Sequence, residues 1–511
     1  MKKYVIDGQS ITVKSLHEMV YNPGTFELAA SSRAEIKKSR DYIEGRIKNG
    51  EVMYGVNTGF GAFSSVRISD SEIEQLQRNL IRSHSMGIGE PFTKEQSKAM
   101  MILRANTLAR GFSGIRIEAV EKILEFLNND LIPVIPSQGS VGASGDLAPL
   151  SHLALTLIGE GEIWSGDGKS VTTDYKNIQP LVLKAKEGLS LINGCQVMTA
   201  VGMLALYEAK QLLKVADIAG ATSLEGLRGS RRPFDPLIAA TRPHMGEAPT
   251  AKNLLKVMGA SSEIGDSHLH ETTDHRVQDA YSLRCMPAVH GAAKMALDYC
   301  ERVLTTEANS ATDNPLVFAD AGKILSCGNF HGMPVAHAMD FAAIAVSSLA
   351  SISHERISKF ISTQMSELPP FLAPNGGLNS GHMIVQVASA SLVSENKVLA
   401  HPASVDSMPT SAEKEDHVSM GTIAARKFSK VVENAQNVFA MEFLSATQAL
   451  DMILPLKPAE GVKVAFDTIR AEVPYAKEDR IFAKDVAKIK SLIVTGAIVK
   501  AVEAKVGELA C

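Results

Sequence analysis

Long stretches in the second half of the chain repeat apolar residues at the spacing of an α-helix. Several are apolar on nearly every face and rich in Ala, Ser and Met, a composition typical of helices inside a bundle or at subunit contacts. The pattern therefore predicts an extended bundle of long helices after about residue 194. The segments are 197–218, 290–308, 336–360, 383–399, 423–453 and 484–503.

The first part of the chain has a mixed pattern. Residues 1–30 suggest short strands and turns, and 164–179 form a polar surface excursion. Helices are predicted at 32–38, with Ser31 or Ser32 as the cap, and at 71–83, 94–110 and 115–128. We therefore predict a mainly α protein, with a mixed N-terminal domain at 1–194 and an elongated helical-bundle domain at 195–511.

The composition and net charge indicate which partners the protein is expected to bind. The 511 residues are 45% hydrophobic with a formal net charge of −4, and no long run of Lys or Arg is present. Nucleic acid and anionic membranes are therefore not expected as partners. The apolar stretch 336–352 contains His337 and Asp340, so we interpret it as a buried helix and not a membrane span.

The cysteines and the N-terminus indicate a cytoplasmic protein. The five cysteines are widely spaced and form no C-x-x-C pair, which is typical of a reducing compartment. Two lysines near the N-terminus are followed by Asp7 and not by an apolar run, which argues against a signal peptide.

The stretch from Gln138 to Leu150 carries the most distinctive chemistry, centred on Ala143-Ser144-Gly145. The Gly145 nitrogen can attack the Ala143 carbonyl carbon and close a five-membered ring, and loss of water with the Ser144 hydroxyl leaves an electrophilic methylidene group. Such a cyclisation needs Gly at the attacking position, a hydroxyl that leaves and a small first residue. The alternatives are a plain turn and a serine-hydrolase elbow, whose G-x-S-x-G spacing is absent.

The string Gly139-Ser140-x-Gly142-Ala143-Ser144-Gly145-Asp146-Leu147-x-Pro149-Leu150 resembles the signature of the aromatic amino acid ammonia-lyases and aminomutases. In that family the tripeptide becomes a 4-methylidene-imidazol-5-one ring (MIO), with no diffusible cofactor and no metal. The resemblance also implies a fold like that of fumarase and aspartase, and a homotetramer whose active sites draw on three chains.

Further matches extend the resemblance from Tyr54 to Met420. Tyr54, in a glycine-rich loop, resembles the family's mobile tyrosine that acts as base on the substrate β-carbon, although a packed tyrosine in a turn is the simpler interpretation. A tyrosine base needs positive charge or donors that favour phenolate. Asn193 matches the asparagine beside the ring, and Phe330 matches an aromatic wall of the pocket.

Gln278, Tyr281 and Arg284 recur at a spacing of three, so they share one face if the segment is helical; a surface ladder is the alternative. The family has Q-D-x-Y-S-x-R here, which assigns Gln278 to substrate binding, Tyr281 to catalysis and Arg284 to a bidentate clamp on the α-carboxylate. Departures from the usual pattern of histidine lyases are Ala280, Ala288 and Gly332-Met333-Pro334.

Two residues indicate the substrate ring. His84 occupies the family's selectivity position, where histidine and tyrosine enzymes commonly carry His. Glu415 lies in a string that resembles E-D-H-V-S-M of the histidine lyases, although a solvated charge beside Lys414 is an alternative. A buried carboxylate beside a phenyl ring is costly, whereas an imidazole N–H donates to it. The resemblance therefore predicts deamination of L-histidine to trans-urocanate.

Other functions stay open at this point. A tyrosine ammonia-lyase, an aminomutase on the same scaffold and a non-enzymatic assembly protein are the alternatives. His268, His270 and His275, with acidic residues nearby, weakly suggest a metal site, but an interface is the better interpretation of that segment. The expected partners are an amino acid substrate and further copies of the chain.

Overall fold

The computed structural model describes residues 2–59, 68–69, 71–259, 262–267 and 278–511. The helices are α1 (Val13–Tyr21), α2 (Ala30–Lys48), α3 (Ile73–His84), α4 (Lys94–Ala109), α5 (Ile117–Asn128), α6 (Leu147–Leu157), α7 (Glu187–Ile192), α8 (Gln196–Gly226), α9 (Pro236–Thr241), α10 (Glu247–Met258), α11 (Glu263–Ser267), α12 (Tyr281–Arg284), α13 (Met286–Ala308), α14 (Met333–Ile361), α15 (Thr363–Ser366), α16 (Met383–Leu399), α17 (Gly421–Met452), α18 (Glu460–Arg470), α19 (Phe482–Val494) and α20 (Ala497–Val506).

The described strands are short and form two-stranded sheets. They are β1 (Lys2–Ile6), β2 (Gly24–Leu28), β3 (Ile88–Pro91), β4 (Pro136–Gln138), β5 (Ile163–Trp164), β6 (Val171–Thr172), β7 (Leu316–Phe318) and β8 (Lys323–Leu325). β1 and β2 pair in parallel from Lys2 opposite Gly24 to Ile6 opposite Leu28, and the other three pairs are antiparallel. The parallel pair requires a crossover, which α1 provides.

The long helices predicted from the apolar pattern are present, with differences at their ends. α16 covers the predicted 383–399, and α4 and α5 match their predictions to within two residues. The predicted helix 484–503 is instead two helices, because Gly496 lies between α19 and α20 with φ of +71°. A glycine in this conformation ends one helix and starts a new direction.

Near the N-terminus, one helix is absent from the sequence prediction and another is longer than predicted. α1 is absent from the prediction although Thr12 and Ser15 form a capping box at its start. α2 begins at Ala30 and continues to Lys48, and Ala29 at its N-cap makes no side-chain cap. Neither Ser31 nor Ser32 is therefore the cap, because both lie inside the first turn.

The chain divides into two compact units. Unit 1 comprises Met1–Tyr207, Cys300–Asp340 and Pro402–Arg426; unit 2 comprises Glu208–Tyr299, Phe341–His401 and Lys427–Cys511. A division into domains at residue 194 stays a prediction.

Unit 1 is built around α4, whose residues are buried at nearly every position from Ser97 to Ala109. Helices α3, α6 and α7 pack against one another in the same unit. A second buried cluster joins Met53 and Val56 to Ile43, Ile73 and Val317. The backbone on either side of Tyr54 is therefore anchored in the interior.

Unit 2 buries charged groups that are paired. Arg356 and Glu442 form a bidentate ion pair with both side chains fully buried, and the Ser223 and Ser353 hydroxyls donate to the same carboxylate. Asp217 is likewise buried between His290 and Lys294. Removing one partner from such a pair leaves an uncompensated buried charge, so these pairs tie their helices together.

Among the described residues, one helix, α14, is long and apolar enough to cross a membrane, and 61% of its most apolar window is buried within the protein. No group of three or more His, Cys, Asp or Glu side chains that could hold a metal ion occurs in the described part of the chain. His268, His270 and His275 lie outside the described residues.

Glu307, near the unit 1 end of α13, is a partly buried acid. The Glu307 carboxyl bonds to the Cys195 thiol, and burial raises its pKa to about 7, with the negative charge of Asp146 acting in the same direction. Because the pKa in the folded state lies above the value of an unfolded glutamate, folding binds a proton. The associated stability is fully present below about pH 4.5 and is lost as the pH rises through about 7.

Replacing Glu307 with Gln, a neutral mimic of the protonated acid, should remove this pH dependence. We expect the unfolding temperature of Glu307→Gln to exceed that of the parent at pH 8 and to approach it near pH 5, measured by circular dichroism. The exposed Glu472→Gln is the control and should follow the parent at every pH. A constant difference between Glu307→Gln and the parent across the range would contradict a raised pKa.

Candidate active site

The Ala143-Ser144-Gly145 segment lies in the loop between β4 and α6, pressed against a second backbone segment. Gly145 has φ of +71° and pairs with Gly194 in an isolated bridge. A Cβ atom at position 145 would overlap the Gly194 carbonyl group, so only glycine fits there. The Asp146 N–H donates to that same carbonyl oxygen at 2.7 Å. The sharp bend at Gly145 is therefore fixed by contacts with Gly194, 49 residues further along the chain.

The other side of the loop is held by the residues that immediately precede α17. The Met420 N–H donates to the Val141 carbonyl at 2.9 Å, and the Ser419 hydroxyl donates to the Gly142 carbonyl at 3.3 Å. Ala143, Val418 and Met420 form a small buried cluster. Ala143 therefore packs against the segment that precedes α17, where the small alanine side chain is enclosed.

Asp146 links the loop to the N-termini of two long helices. Its Oδ2 atom accepts the N–H groups of Val197 and Met198 at 3.0 and 2.9 Å, in the first turn of α8, and Oδ1 accepts the hydroxyls of Thr422 and Ser140. Burial raises the pKa of Asp146 to about 6, and the four donated bonds act in the opposite direction. The sequence pattern predicts no role for Asp146, although this residue directly follows Gly145 in the signature.

Asn193 is positioned by a buried arginine. Arg104 on α4 is fully buried and donates to the carbonyls of Asn193 and Ser190 and to the Gln196 side chain. Burial lowers the pKa of Arg104 to about 10. Asn193 donates from Nδ2 to the Asn314 carbonyl at 3.3 Å, while its Oδ1 atom is buried and has no hydrogen-bond partner among the described residues.

Glu415 lies beside Ser144. The Ser144 hydroxyl donates to Glu415 Oε1 at 3.0 Å, and the Thr410 hydroxyl donates to Oε2 at 2.7 Å. Glu415 is partly buried, whereas Lys414 is exposed. The carboxylate therefore points towards the loop and away from its lysine neighbour.

His84, the last residue of α3, interacts with Glu415. Burial lowers the pKa of His84, while a hydrogen bond involving the Leu80 backbone and the negative charge of Glu415 oppose that shift. The Ser83 hydroxyl lies 3.0 Å from His84 Nδ1. His84, Glu415 and Ser144 are thus brought together in unit 1 from positions 60 to 331 residues apart.

Tyr54 and Phe330 belong to the same unit. Tyr54 is partly buried between the buried residues Met53 and Val56, in a segment whose glycine packs against Leu189. Phe330 is partly buried, and its carbonyl accepts the Cys195 thiol at 3.0 Å. The rest of the predicted tyrosine loop, from Phe60, lies outside the described residues.

The cluster of Gln278, Tyr281 and Arg284 belongs to unit 2 and differs from its predicted form. α12 contains only Tyr281–Arg284, because Ala280 is extended, with φ of −58° and ψ of 153°; Gln278 precedes the helix and is exposed. The prediction of one helical face therefore holds for Tyr281 and Arg284 alone. The Arg284 guanidinium lies 4.6 Å from the centroid of the Tyr281 ring, and its Nε donates to the Asp279 carbonyl at 3.1 Å.

The geometry of unit 1 fits the chemistry of ring closure. The chain bends sharply at Gly145, Ala143 is small and enclosed, and the hydroxyl that must leave Ser144 is bound to an acceptor. The unpaired Oδ1 atom of Asn193 offers a further polar contact in the segment that precedes Gly194. These residues therefore fit a methylidene-imidazolone formed from the backbone itself.

Comparisons with known proteins agree with this geometry. The profile of the aromatic amino acid lyase family matches residues 11–471. A histidine ammonia-lyase of Anaeromyxobacter dehalogenans is 48% identical over 508 residues, covering 98% of this chain and all of the relative.

Two solved structures extend the agreement to the fold. The crystal structure of histidine ammonia-lyase from Trypanosoma cruzi has a TM-score of 0.91 at 41% identity, covering 98% of this chain and 95% of that one. The tyrosine aminomutase of Streptomyces globisporus has a TM-score of 0.93 at 35% identity and full coverage of both chains. The expected fold class is confirmed, and the chain belongs to the aromatic amino acid lyase family.

Proposed function

We propose that the protein is a histidine ammonia-lyase, which converts L-histidine to trans-urocanate and ammonia without oxidation. The observation that carries the proposal is the Glu415 carboxylate, bound to Ser144 and interacting with His84. A site built around a carboxylate acceptor favours a ring with an N–H donor and discriminates against rings that lack one. Relatives that bear the name histidine ammonia-lyase, at 48% identity over almost the whole chain, support the same substrate.

The reaction has two chemical obstacles, which are a weakly acidic β-C–H bond and an amine that leaves poorly. When formed from Ala143, Ser144 and Gly145, the MIO ring supplies an electrophile that makes the amine a better leaving group. Tyr54 is proposed as the base that takes the β-proton, and Tyr281 as a second catalytic residue. A loop position for Tyr54 lets it exclude water from the bound substrate.

The remaining site residues are proposed to hold the substrate. Glu415 and His84 bind the imidazole ring, and Phe330 forms an aromatic wall. Arg284 binds the α-carboxylate through its planar fork, with Gln278 and Asn193 as further polar contacts. The proposed assembly is a cytoplasmic homotetramer in which active sites draw on three chains, and exposed apolar residues on α16, such as Ile384 and Val387, are consistent with subunit contacts.

A second candidate is an aminomutase. The similarity to a tyrosine aminomutase over the full length of both chains favours it. Such an enzyme returns ammonia to the β-carbon, so a β-amino acid product distinguishes it from a lyase. Incubation with L-histidine and L-tyrosine, followed by product analysis by chromatography and by urocanate absorbance, separates the two functions.

The chain should modify its own backbone. Ring formation removes two waters, so intact-mass spectrometry should give a mass lower than the sequence mass by two waters. Ser144→Ala should fold normally, because only one hydroxyl is removed. Without that hydroxyl the ring cannot form its methylidene group, so the variant should keep its own sequence mass and lose most turnover. Ser170→Ala changes an exposed serine and should keep the two-water loss. An unmodified mass in freshly purified, active parent protein would defeat the prediction.

Arg284→Lys should damage catalysis while keeping the charge. Lysine loses the planar bidentate fork, so kcat/KM for L-histidine should fall by a factor equivalent to about 2–4 kcal/mol. Steady-state kinetics at a single pH provide the measurement. The matched control is Arg242→Lys, an exposed arginine of the same unit, which should behave like the parent. Kinetics close to those of the parent in Arg284→Lys would remove this residue from the active site.

Glu415→Gln tests the choice of substrate. The amide is nearly isosteric, but it loses the charge and can present a donor where the ring also presents one. We expect kcat/KM for L-histidine to fall by a factor equivalent to about 1.5–3 kcal/mol. For L-tyrosine and L-phenylalanine, kcat/KM should fall less or should rise.

Glu413→Gln, an exposed change two residues earlier, is the control for Glu415→Gln and should leave all three values unchanged. An unchanged histidine value in Glu415→Gln would remove the main reason to choose histidine over tyrosine. Higher turnover of tyrosine than of histidine by the parent protein would favour a tyrosine enzyme directly.

A further inference from the structure

Glu415 is carried by an unusual turn that begins at Thr410. The two residues exchange backbone hydrogen bonds, with Thr410 N–H to Glu415 O at 2.9 Å and Glu415 N–H to Thr410 O at 3.3 Å. Between them, Ser411, Ala412 and Glu413 have φ values of +53°, +55° and +67°. Three consecutive non-glycine residues in the left-handed region cost conformational free energy, so the surroundings must impose this conformation.

Contacts on both sides of the turn hold its base. The Ser407 hydroxyl accepts the Val418 N–H at 3.0 Å, which closes the loop below the turn. The His417 carbonyl lies 3.1 Å from Nε2 of His331, and Met420 is bound to Val141 in the reactive loop. The turn is thus fixed relative to Ser144. The backbone of Glu415, at the end of the turn, therefore has a fixed position from which its side chain extends.

The two carboxylate oxygens of Glu415 have different partners. Oε2 accepts the Thr410 hydroxyl at 2.7 Å, and Oε1 accepts the Ser144 hydroxyl at 3.0 Å. The terminal torsion of a glutamate is broad and roughly two-fold, so an untethered carboxylate does not keep one orientation. The bond from Thr410 removes this freedom and assigns Oε2 to the turn and Oε1 to the reactive loop.

Loss of the Ser144 hydroxyl changes this arrangement. On the proposed function, the oxygen leaves as water, so Oε1 loses the donor that it had in the unprocessed chain while Oε2 keeps Thr410. The carboxylate then presents one acceptor towards the reactive loop in a partly buried position, where an unpaired charge is costly. A substrate N–H is the group that restores the bond.

We propose that Thr410 is a positioning residue that sets the ring specificity of the site by holding Glu415 with Oε1 directed at the substrate. The inference rests on the proposed function and adds the residue that enforces it. Its ligand class is an α-amino acid whose ring carries an N–H donor. Thr410 acts through Glu415 and contacts no reacting atom.

The test compares Thr410→Val, which removes the hydroxyl at nearly constant shape, with Thr410→Ser, which keeps it. We expect Thr410→Val to lower kcat/KM for L-histidine by about 10- to 100-fold, the range for a hydrogen bond to a charged group, mainly through KM. Thr410→Ser should stay within about threefold of the parent. Thr306→Val is the matched control, since that exposed hydroxyl donates only to the Arg302 carbonyl.

A binding measurement separates orientation from turnover. In the Ser144→Ala background, calorimetry gives the dissociation constants of L-histidine and L-phenylalanine without reaction. Adding Thr410→Val should raise the dissociation constant of L-histidine by the same factor as in the kinetics. The dissociation constant of L-phenylalanine should change by less than about twofold. If Thr410→Val is insoluble, Thr410→Ala is measured in the same way.

The outcomes distinguish the two proposals. A parent protein that does not turn over L-histidine defeats the proposed function before any variant is made. A parent that is active on L-histidine, combined with Thr410→Val at parent values, defeats only the role of Thr410. Equal losses for L-histidine and L-phenylalanine also overturn it, because they indicate a structural role. A selective loss of L-histidine that Thr410→Ser restores supports it.

Discussion

The close approach of two backbone segments, Gly145 against Gly194, is the constraint on which the rest of the site depends. No side chain fits at Gly145, and the two glycines are joined in a bridge with the Asp146 N–H bonded to the Gly194 carbonyl. A flexible tripeptide pays conformational entropy to reach a bent geometry. Here the surrounding fold already holds the tripeptide in the bent conformation, so the proposed ring closure starts from a chain that is bent at the attacking nitrogen.

Buried charge keeps the two segments in place. Arg104 holds the carbonyls that precede Gly194, and Asp146 holds the first turn of α8 that follows it. Charged groups are rarely fully buried unless they are bonded on several sides, and both of these are. Their partners are mostly backbone atoms, so they fix the path of the chain and not merely the position of another side chain.

The apolar periodicity was enough to predict the mainly α fold and the long helices, and the signature around Ser144 was enough to predict the family. Arg104, Asp146 and Thr410 were not predicted, because their importance lies in contacts with distant residues or in backbone conformation. Arg104 bonds to Asn193, 89 residues away in the sequence. Thr410 lies at the start of a left-handed turn that contains no glycine, so the sequence pattern does not predict the turn. The break at Gly496 had a visible signal in the glycine itself, but apolar periodicity outweighed it. The extended backbone at Ala280 likewise defeated a prediction based on spacing alone.

One carboxylate oxygen connects maturation with recognition on the proposed function. Before ring closure, Glu415 Oε1 is satisfied by the Ser144 hydroxyl, so the folded precursor buries no unpaired acceptor at this point. Dehydration removes that donor and leaves the same oxygen facing the same place. An unpaired acceptor is a liability to the free enzyme and an advantage to any ligand that brings a donor. The preference for an N–H ring therefore arises only after the chain has completed its own chemistry, and it depends on the turn that keeps the oxygen from rotating away.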